Sequence, residues 1–356
     1  MKNVFRVIAA FSLVTVLALQ TAVAGNDDRR GKAGATELLI NPWARGAGWG
    51  SVNTACGRGL DAFYSNIAGL SFVQKTEIAY SNTMWMGGKS GLVSGASINA
   101  FGLAQRVGDQ GVVAAYVMAM SFGDIPIQTE NSPEAGSNGT FSPTYMNINV
   151  AYSHSFTPSI HGGAVIKVIS ESTDNITGSG VALDAGIQYV TGEDNELKFG
   201  ISLKNIGPAM SFGGTGMSFT TVNDAGNNMT VEFRSAEMEL PTCFNIGVSY
   251  DFLFNKWDQR LTLAGNFTSN AFLKDNFAAG FEYALLKMFQ LRAGYVYQTD
   301  IFDVDNRTTA NTGVCAGATV EIPLSKKGSN SIAIDYSYRS AYPMKGTHSI
   351  GATIKL

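Results

Sequence analysis

The sequence predicts an all-β protein: a transmembrane antiparallel β-barrel of about 14 strands. Three observations carry this. From about residue 76 onward hydropathy alternates with a period of two. The alternating runs are about 10–14 residues long, more than the usual five or six and suited to a tilted membrane crossing. Links between the runs alternate in length, with short turns on one side and long loops on the other, as in outer-membrane barrels.

The first element reads as a secretory signal. Lys2 and Arg6 precede the apolar run "VIAAFSLVTVLAL", and Ala22–Ala24 form a small-x-small site, so cleavage is expected after Ala24. The first Cys is Cys56, far from that site, so no lipoprotein anchor is expected. Residues 25–74 form an irregular segment rich in small residues, ahead of the strands. Residues 75–356 form the barrel.

Strands are expected near 75–86, 91–105, 110–122, 141–155, 159–171, 177–190 and 196–205. Seven more follow near 240–253, 259–269, 274–285, 288–299, 312–323, 330–339 and 346–356. In "TCFNIGVSYDF", Phe244, Ile246, Val248, Tyr250 and Phe252 oppose Asn245, Gly247, Ser249 and Asp251. In "ELKFGISLKN", Leu197, Phe199, Ile201 and Leu203 oppose Lys198, Gly200, Ser202 and Lys204. In the last strand Ile350, Ala352, Ile354 and Leu356 share a face. The apolar row faces lipid and the polar row the lumen. Lys198, Lys204, Asp251, Arg292, Asp335 and Arg339 are therefore luminal charges, expected to pair with one another or with Arg45, Arg58 and Asp61 of residues 25–74. Tyr250, Phe252, Tyr295, Tyr297, Tyr336 and Tyr338 fall near strand ends, where aromatic girdles form.

The longest loops are 123–140, 206–239 and 300–311. Segment 206–239 contains a candidate hairpin, assigned to a loop excursion outside the barrel. The link between the eighth and ninth strands, near Asn255 to Trp257, is short where a long one is allowed. An even strand number places both termini in the periplasm, with the barrel in the outer membrane of a Gram-negative bacterium.

Composition narrows the function. Net charge is −3 and only 15% of residues are charged, against about 25% in soluble domains. That argues against a nucleic-acid partner and for outer-membrane lipid. The three cysteines, Cys56, Cys243 and Cys315, have no disulfide or metal spacing and read as packing residues. No nucleophile elbow or zinc-protease motif accompanies His154, His161 and His348. No enzyme activity, cofactor or metal is expected. The acidic residues Glu193, Asp194, Asp303 and Asp305 read as solvated turn charges.

The segment "ARGAGWGSVNTACGRGLDAFYSNIAGLSF" resembles the N-terminal region of FadL-like outer-membrane proteins. Ala44, Arg45, Gly46, Gly48, Gly50, Asp61, Ala62, Asn66, Ala68, Gly69 and Leu70 match that pattern, and Ile67 stands where the family usually has Pro. Further stretches, "GGAVIKVISESTDNITGSGVALDAGIQY", "LKFGISLKNIGPAMSF" and "HSIGATIKL" among them, resemble the PorV/PorQ family of type IX secretion outer-membrane proteins, over about 44–356. The resemblance implies a fourteen-stranded barrel whose N-terminal segment, residues 25–74, sits in the periplasm or lumen as a plug or hatch, and a non-catalytic role in which the barrel binds secretion translocon subunits and the C-terminal signal domains of cargo. The shared hatch motif also permits a FadL-like channel for uptake of hydrophobic small molecules.

Overall fold

The two-residue period of the sequence becomes the two faces of one continuous wall. The computed structural model describes residues 29–87, 96–131, 133, 139–254, 258–324 and 330–356; the expected signal segment and residues 255–257 lie outside them. Fourteen strands build the wall: β1 (Thr76–Met84), β2 (Ser97–Val107), β3 (Gly111–Ser121), β4 (Thr144–Ser155), β5 (Ile160–Thr173), β6 (Ile176–Thr191) and β7 (Leu197–Ile206). The second half is β8 (Cys243–Phe254), β9 (Gln259–Asn270), β10 (Asn276–Leu285), β11 (Phe289–Gln298), β12 (Asn311–Pro323), β13 (Ser331–Ala341) and β14 (Thr347–Lys355). Each pairs antiparallel with its chain neighbour, and β1 closes on β14 from Glu77↔Lys355 to Met84↔His348. Closure leaves no unpaired edge, which is what a sheet in lipid requires.

Alternation sets the register. On β6, Val181, Leu183, Ile187 and Tyr189 are exposed outward, while Ala182, Asp184 and Gln188 are buried inward. An outward row of this kind on every strand would be a liability in water and is stable against lipid. Tyr250 and Phe252 lie outward at one rim, their rings 4.8 Å apart. Tyr336 is outward too, its hydroxyl 2.9 Å from His348 Nδ1.

The chain enters and leaves the barrel at one end, where Leu356 N–H donates to Thr76 O at 2.9 Å. The β2–β3, β4–β5, β6–β7, β10–β11 and β12–β13 turns lie at this lower end. The β8–β9 link has the same parity as the other short turns, so it does not break the alternation, contrary to the expectation above. The departure is at the upper end instead, where only Asp174 and Asn175 join β5 to β6. The long upper loop between β7 and β8 holds a separate hairpin, Ser218–Val222 with Asn228–Glu232. Its Ser211–Gly213 segment pairs with the top of β6.

Residues 29–75 fill the lumen as short turns: Thr36–Leu39, Ala44–Ala47, Gly59–Asp61, Ala62–Ser65 and Ile67–Phe72. They fit because inward wall positions facing them at mid-height are glycines. A Cβ on Gly200 would lie 2.2 Å from Thr54 O, and one on Gly294 would lie 2.3 Å from Trp49 O. Gly48 meets Gly317 backbone to backbone, and Gly351 meets the Ala44 methyl. Trp43, Leu60, Phe63, Ile67 and Leu70 bury their apolar surface against β2, β3, β4 and β5.

Candidate functional site: a lumen divided by the hatch

Each residue of the hatch motif has a mechanical task. Asn66 is the anchor. Its Nδ2 donates to Ile187 O at 2.9 Å, Thr54 O at 3.0 Å and Ile201 O at 3.3 Å. Its Oδ1 accepts from Ala68 N–H and caps the turn that follows. Ile67 puts its side chain against Gly163 and joins the core. Gly69 is obligatory, since a Cβ there would lie 2.1 Å from Gly57 O. Gly50 takes φ 76°, in the left-handed region. Asp61 accepts from Gly46 N–H at 3.0 Å and from Asn53 Nδ2 at 2.5 Å.

The luminal charges form two groups. In the lower half Lys198 pairs with Asp251, which also accepts from Thr262 Oγ1 at 2.7 Å. Arg292 donates to Glu282 Oε2 at 2.6 Å and Thr319 Oγ1 at 2.6 Å, and Thr319 in turn donates to Asp335. Asp335 then accepts from hatch residue Arg45, Nε at 3.1 Å, and Arg45 Nη2 lies 3.9 Å from Glu321. The hatch is thus one member of a chain of neighbouring charges running from Arg260 and Glu282 to Glu321 and Lys355. In the upper half Lys204 Nζ donates to Tyr64 O at 2.9 Å and sits 4.0 Å over the Tyr64 ring. Arg339 faces the upper cavity beside Cys315, with its Nε buried and without a hydrogen-bond partner. Arg58 departs from expectation: it lies 4.3 Å over the Phe72 ring, inside the hatch.

Sequence reading passed over Glu282, Glu77, Gln188 and Lys167. All four are buried on inward positions of their strands. Glu77 accepts from Leu60 N–H at 2.7 Å, and Gln188 Nε2 donates to Thr54 O and Gly57 O at 3.2 Å. Strict alternation marks each as luminal; what it does not give is the hatch backbone each one meets. The three histidines are apart in role. His154 and His348 point outward, beside Tyr152 and Tyr336. His161 Nδ1 lies 3.0 Å from both Ser71 Oγ and Ser155 Oγ, with no carboxylate to orient it, so the Ser–His–acid arrangement is not assembled there. The cysteines are free.

Asp61 makes hatch docking pH-dependent. Burial pushes its carboxyl up to about 7, against the pull of Arg45 and Arg292 and with Asp335 adding to the rise. The docked state thus favours the protonated acid. Its contribution is complete below the ordinary value of 3.8 and is lost as pH rises through about 7. Limited proteolysis should find the hatch more accessible at pH 8 than at pH 5, and Asp61→Asn should shrink that difference. An unchanged difference in the variant refutes the assignment.

The hatch leaves a cavity on each side. The upper one, about 740 Å³, is lined by Leu39 and Ile40 of the hatch and by Trp85, Met120, Phe122, Tyr145, Phe272 and Ile301 above it. Polar side chains line the rest, among them Glu37, Lys204, Arg339 and a hydrogen-bonded strip of Asn245, Thr268 and Asn266. The cavity reaches the wall at Val296 and Gly313, just above the last β11–β12 pair, Tyr295↔Val314. The lower cavity, about 430 Å³, is lined by the chain of charges. The hatch thus separates an upper cavity of mixed apolar and polar lining from a lower one lined by charged groups.

Neither a protein-family model nor a curated relative matches the sequence. Solved structures do match. The Ralstonia pickettii toluene transporter TbuX aligns at TM-score 0.53 and 12% identity, over 89% of this chain and 98% of that one. The Pseudomonas putida toluene transporter TodX aligns at 0.53 and 13%, over 88% and 97%. A Pseudomonas aeruginosa FadL homologue aligns at 0.54 and 12%, over 88% and 98%. At these identities the likeness is one of fold, and it is to channel barrels of the FadL type.

Proposed function

We propose that this chain is a plugged outer-membrane channel that admits small hydrophobic molecules, with both termini on the periplasmic side. The upper cavity carries the reading: its volume falls in the range of small-molecule sites, and it sets a row of aliphatic and aromatic side chains opposite a polar strip at Asn245, Thr268 and Asn266. Likeness in fold to transporters of toluene supports it. The ligand enters among the long loops, rests on Leu39 and Ile40, and passes when the hatch shifts.

Native mass spectrometry of the barrel released in mild detergent tests this. One lipophilic molecule per chain is expected. Phe122→Asp should cut occupancy by at least about tenfold, because a buried carboxylate opposes an apolar ligand. A barrel that stays empty in every apolar ligand offered sinks the proposal.

A second reading, a PorV-type component of protein secretion, draws on the motif resemblance and on the hairpin of the long β7–β8 loop. There Phe219 and Phe233 stack at 4.8 Å and both stay exposed, a surface suited to a protein partner. Translocon subunits or cargo C-terminal signal domains should then co-purify from mildly solubilised outer membrane. Phe219→Ser with Phe233→Ser should abolish the association.

A further inference from the structure

One polar cluster takes no part in the hatch motif or the lower chain of charges. Glu37, in the Thr36–Leu39 turn, is 2% exposed. Glu171 on β5 is 6% exposed and Asn147 on β4 is 1% exposed. Pairing of Tyr145 with Glu171 and of Asn147 with Ile169 makes Glu171 and Asn147 diagonal neighbours on the inward face. The Glu37 carboxyl faces both. Both its oxygens, and both amide atoms of Asn147, are buried without a hydrogen bond of normal geometry. Asn149, the next inward residue on β4, is in the same condition.

Two buried carboxyls side by side cannot both stay charged without a counter-charge. Among the described residues neither has a Lys or Arg partner: Lys167 is committed to Asp184 at 2.6 Å and Asn205 at 2.8 Å, and Lys204 to the Tyr64 carbonyl. Burial and the neighbouring Glu171 push the Glu37 carboxyl up to about 8 in the absence of such a charge. A shared proton would relieve the repulsion and leave the Asn147 amide beside a Glu37 oxygen. A cation relieves the repulsion and uses the amide oxygen as well.

We propose that Glu37, Glu171 and Asn147 bind a hard divalent cation, Ca²⁺ in the first instance, which fastens the N-terminal end of the hatch to β4 and β5. Carboxylate and amide oxygens are the donor set such ions prefer, and Ca²⁺ takes six to eight of them. Water from the upper cavity, which Glu37 lines, completes the set and supplies the entry path. With two carboxylates the site is weak, with a dissociation constant on the order of 10⁻⁴–10⁻³ M, as in extracellular calcium modules. Calcium then biases the plug toward its docked state.

The test uses the full-length barrel in detergent, stripped with EDTA, with CaCl₂ alone as titrant. Calorimetry should show one saturable site per chain, and calcium should raise the unfolding temperature and protect residues 29–41 from protease. Glu37→Gln and Glu171→Gln should each weaken uptake at least about tenfold, through loss of a charged ligand. Asp251→Asn, on the other side of the hatch, should leave it unchanged. If either Gln variant fails to fold, the calcium-dependent rise in the wild-type unfolding temperature decides. No saturable uptake and no such rise, or uptake that survives Glu37→Gln, assigns the pair a proton and overturns the proposal.

Discussion

Deleting residues 44–70 should turn a closed barrel into a conducting one. In planar bilayers the wild-type protein should give brief steps or none. The deletion variant should give long-lived ohmic steps, with mean conductance higher by about an order of magnitude or more, since a wide barrel without its plug approaches a water-filled porin. The physical ground is the belt of backbone contacts at mid-height. Thr54, Trp49 and Gly48 lie against Gly200, Gly294 and Gly317, and Asn66 ties the plug to the backbone of β6 and β7. The wall keeps its own ladder of backbone hydrogen bonds and should survive the deletion. Asp335 and Glu321 lose Arg45 but gain water. A variant that folds and migrates normally yet stays closed would show that the upper loops, rather than the hatch, form the seal.

Gly200→Val and Gly294→Val should each undock the hatch while leaving the wall intact. A Cβ at either position would stand 2.2–2.3 Å from a hatch carbonyl oxygen, and backbone cannot rotate out of the way. Overpacking of this kind costs roughly 1–3 kcal/mol, so the undocked population should rise by roughly 5- to 150-fold. Limited trypsin digestion should report it as faster cleavage within the hatch, at Arg45 or Arg58. The outward rows that hold the barrel in lipid are untouched, so heat-modifiable migration should persist. Gly265→Ala is the control, because a Cβ there meets only Ala278 O at 3.9 Å. Equal protection in the Val variants would mean that the plug is held from its ends and not from the belt.

The wall was legible in the sequence because alternation is local. Each of Lys198, Asp251, Arg292 and Asp335 announces its face by the apolar residues immediately before and after it, and inward placement follows. The hatch was legible as a break in that pattern. Its partners were not, because they come from distant chain segments: Arg45 and Asp335 are 290 residues apart, and Asn66 and Ile201 are 135 apart. Arg58 is instructive. Its charge suggested a luminal carboxylate, yet the local turn delivers it to Phe72. The hairpin at Ser218–Val222 could be seen as two strand-like runs, but its exclusion from the barrel depends on β7 pairing directly with β8, Cys243 opposite Lys204.

Alternation, strand length and turn parity, all readable along the chain, determined a fourteen-stranded barrel with charges inside and a small-residue segment ahead of it. Those signals suffice because lipid outside and water inside impose opposite demands on successive side chains. Only the tertiary structure decided that glycines in separate strands meet hatch carbonyls at one height. It also decided that the plug leaves a cavity of mixed lining above and a charged one below, and that Glu37 comes to rest against Glu171. These are matters of closure: they exist only once β1 and β14 have met and the lumen has a width for the hatch to fill.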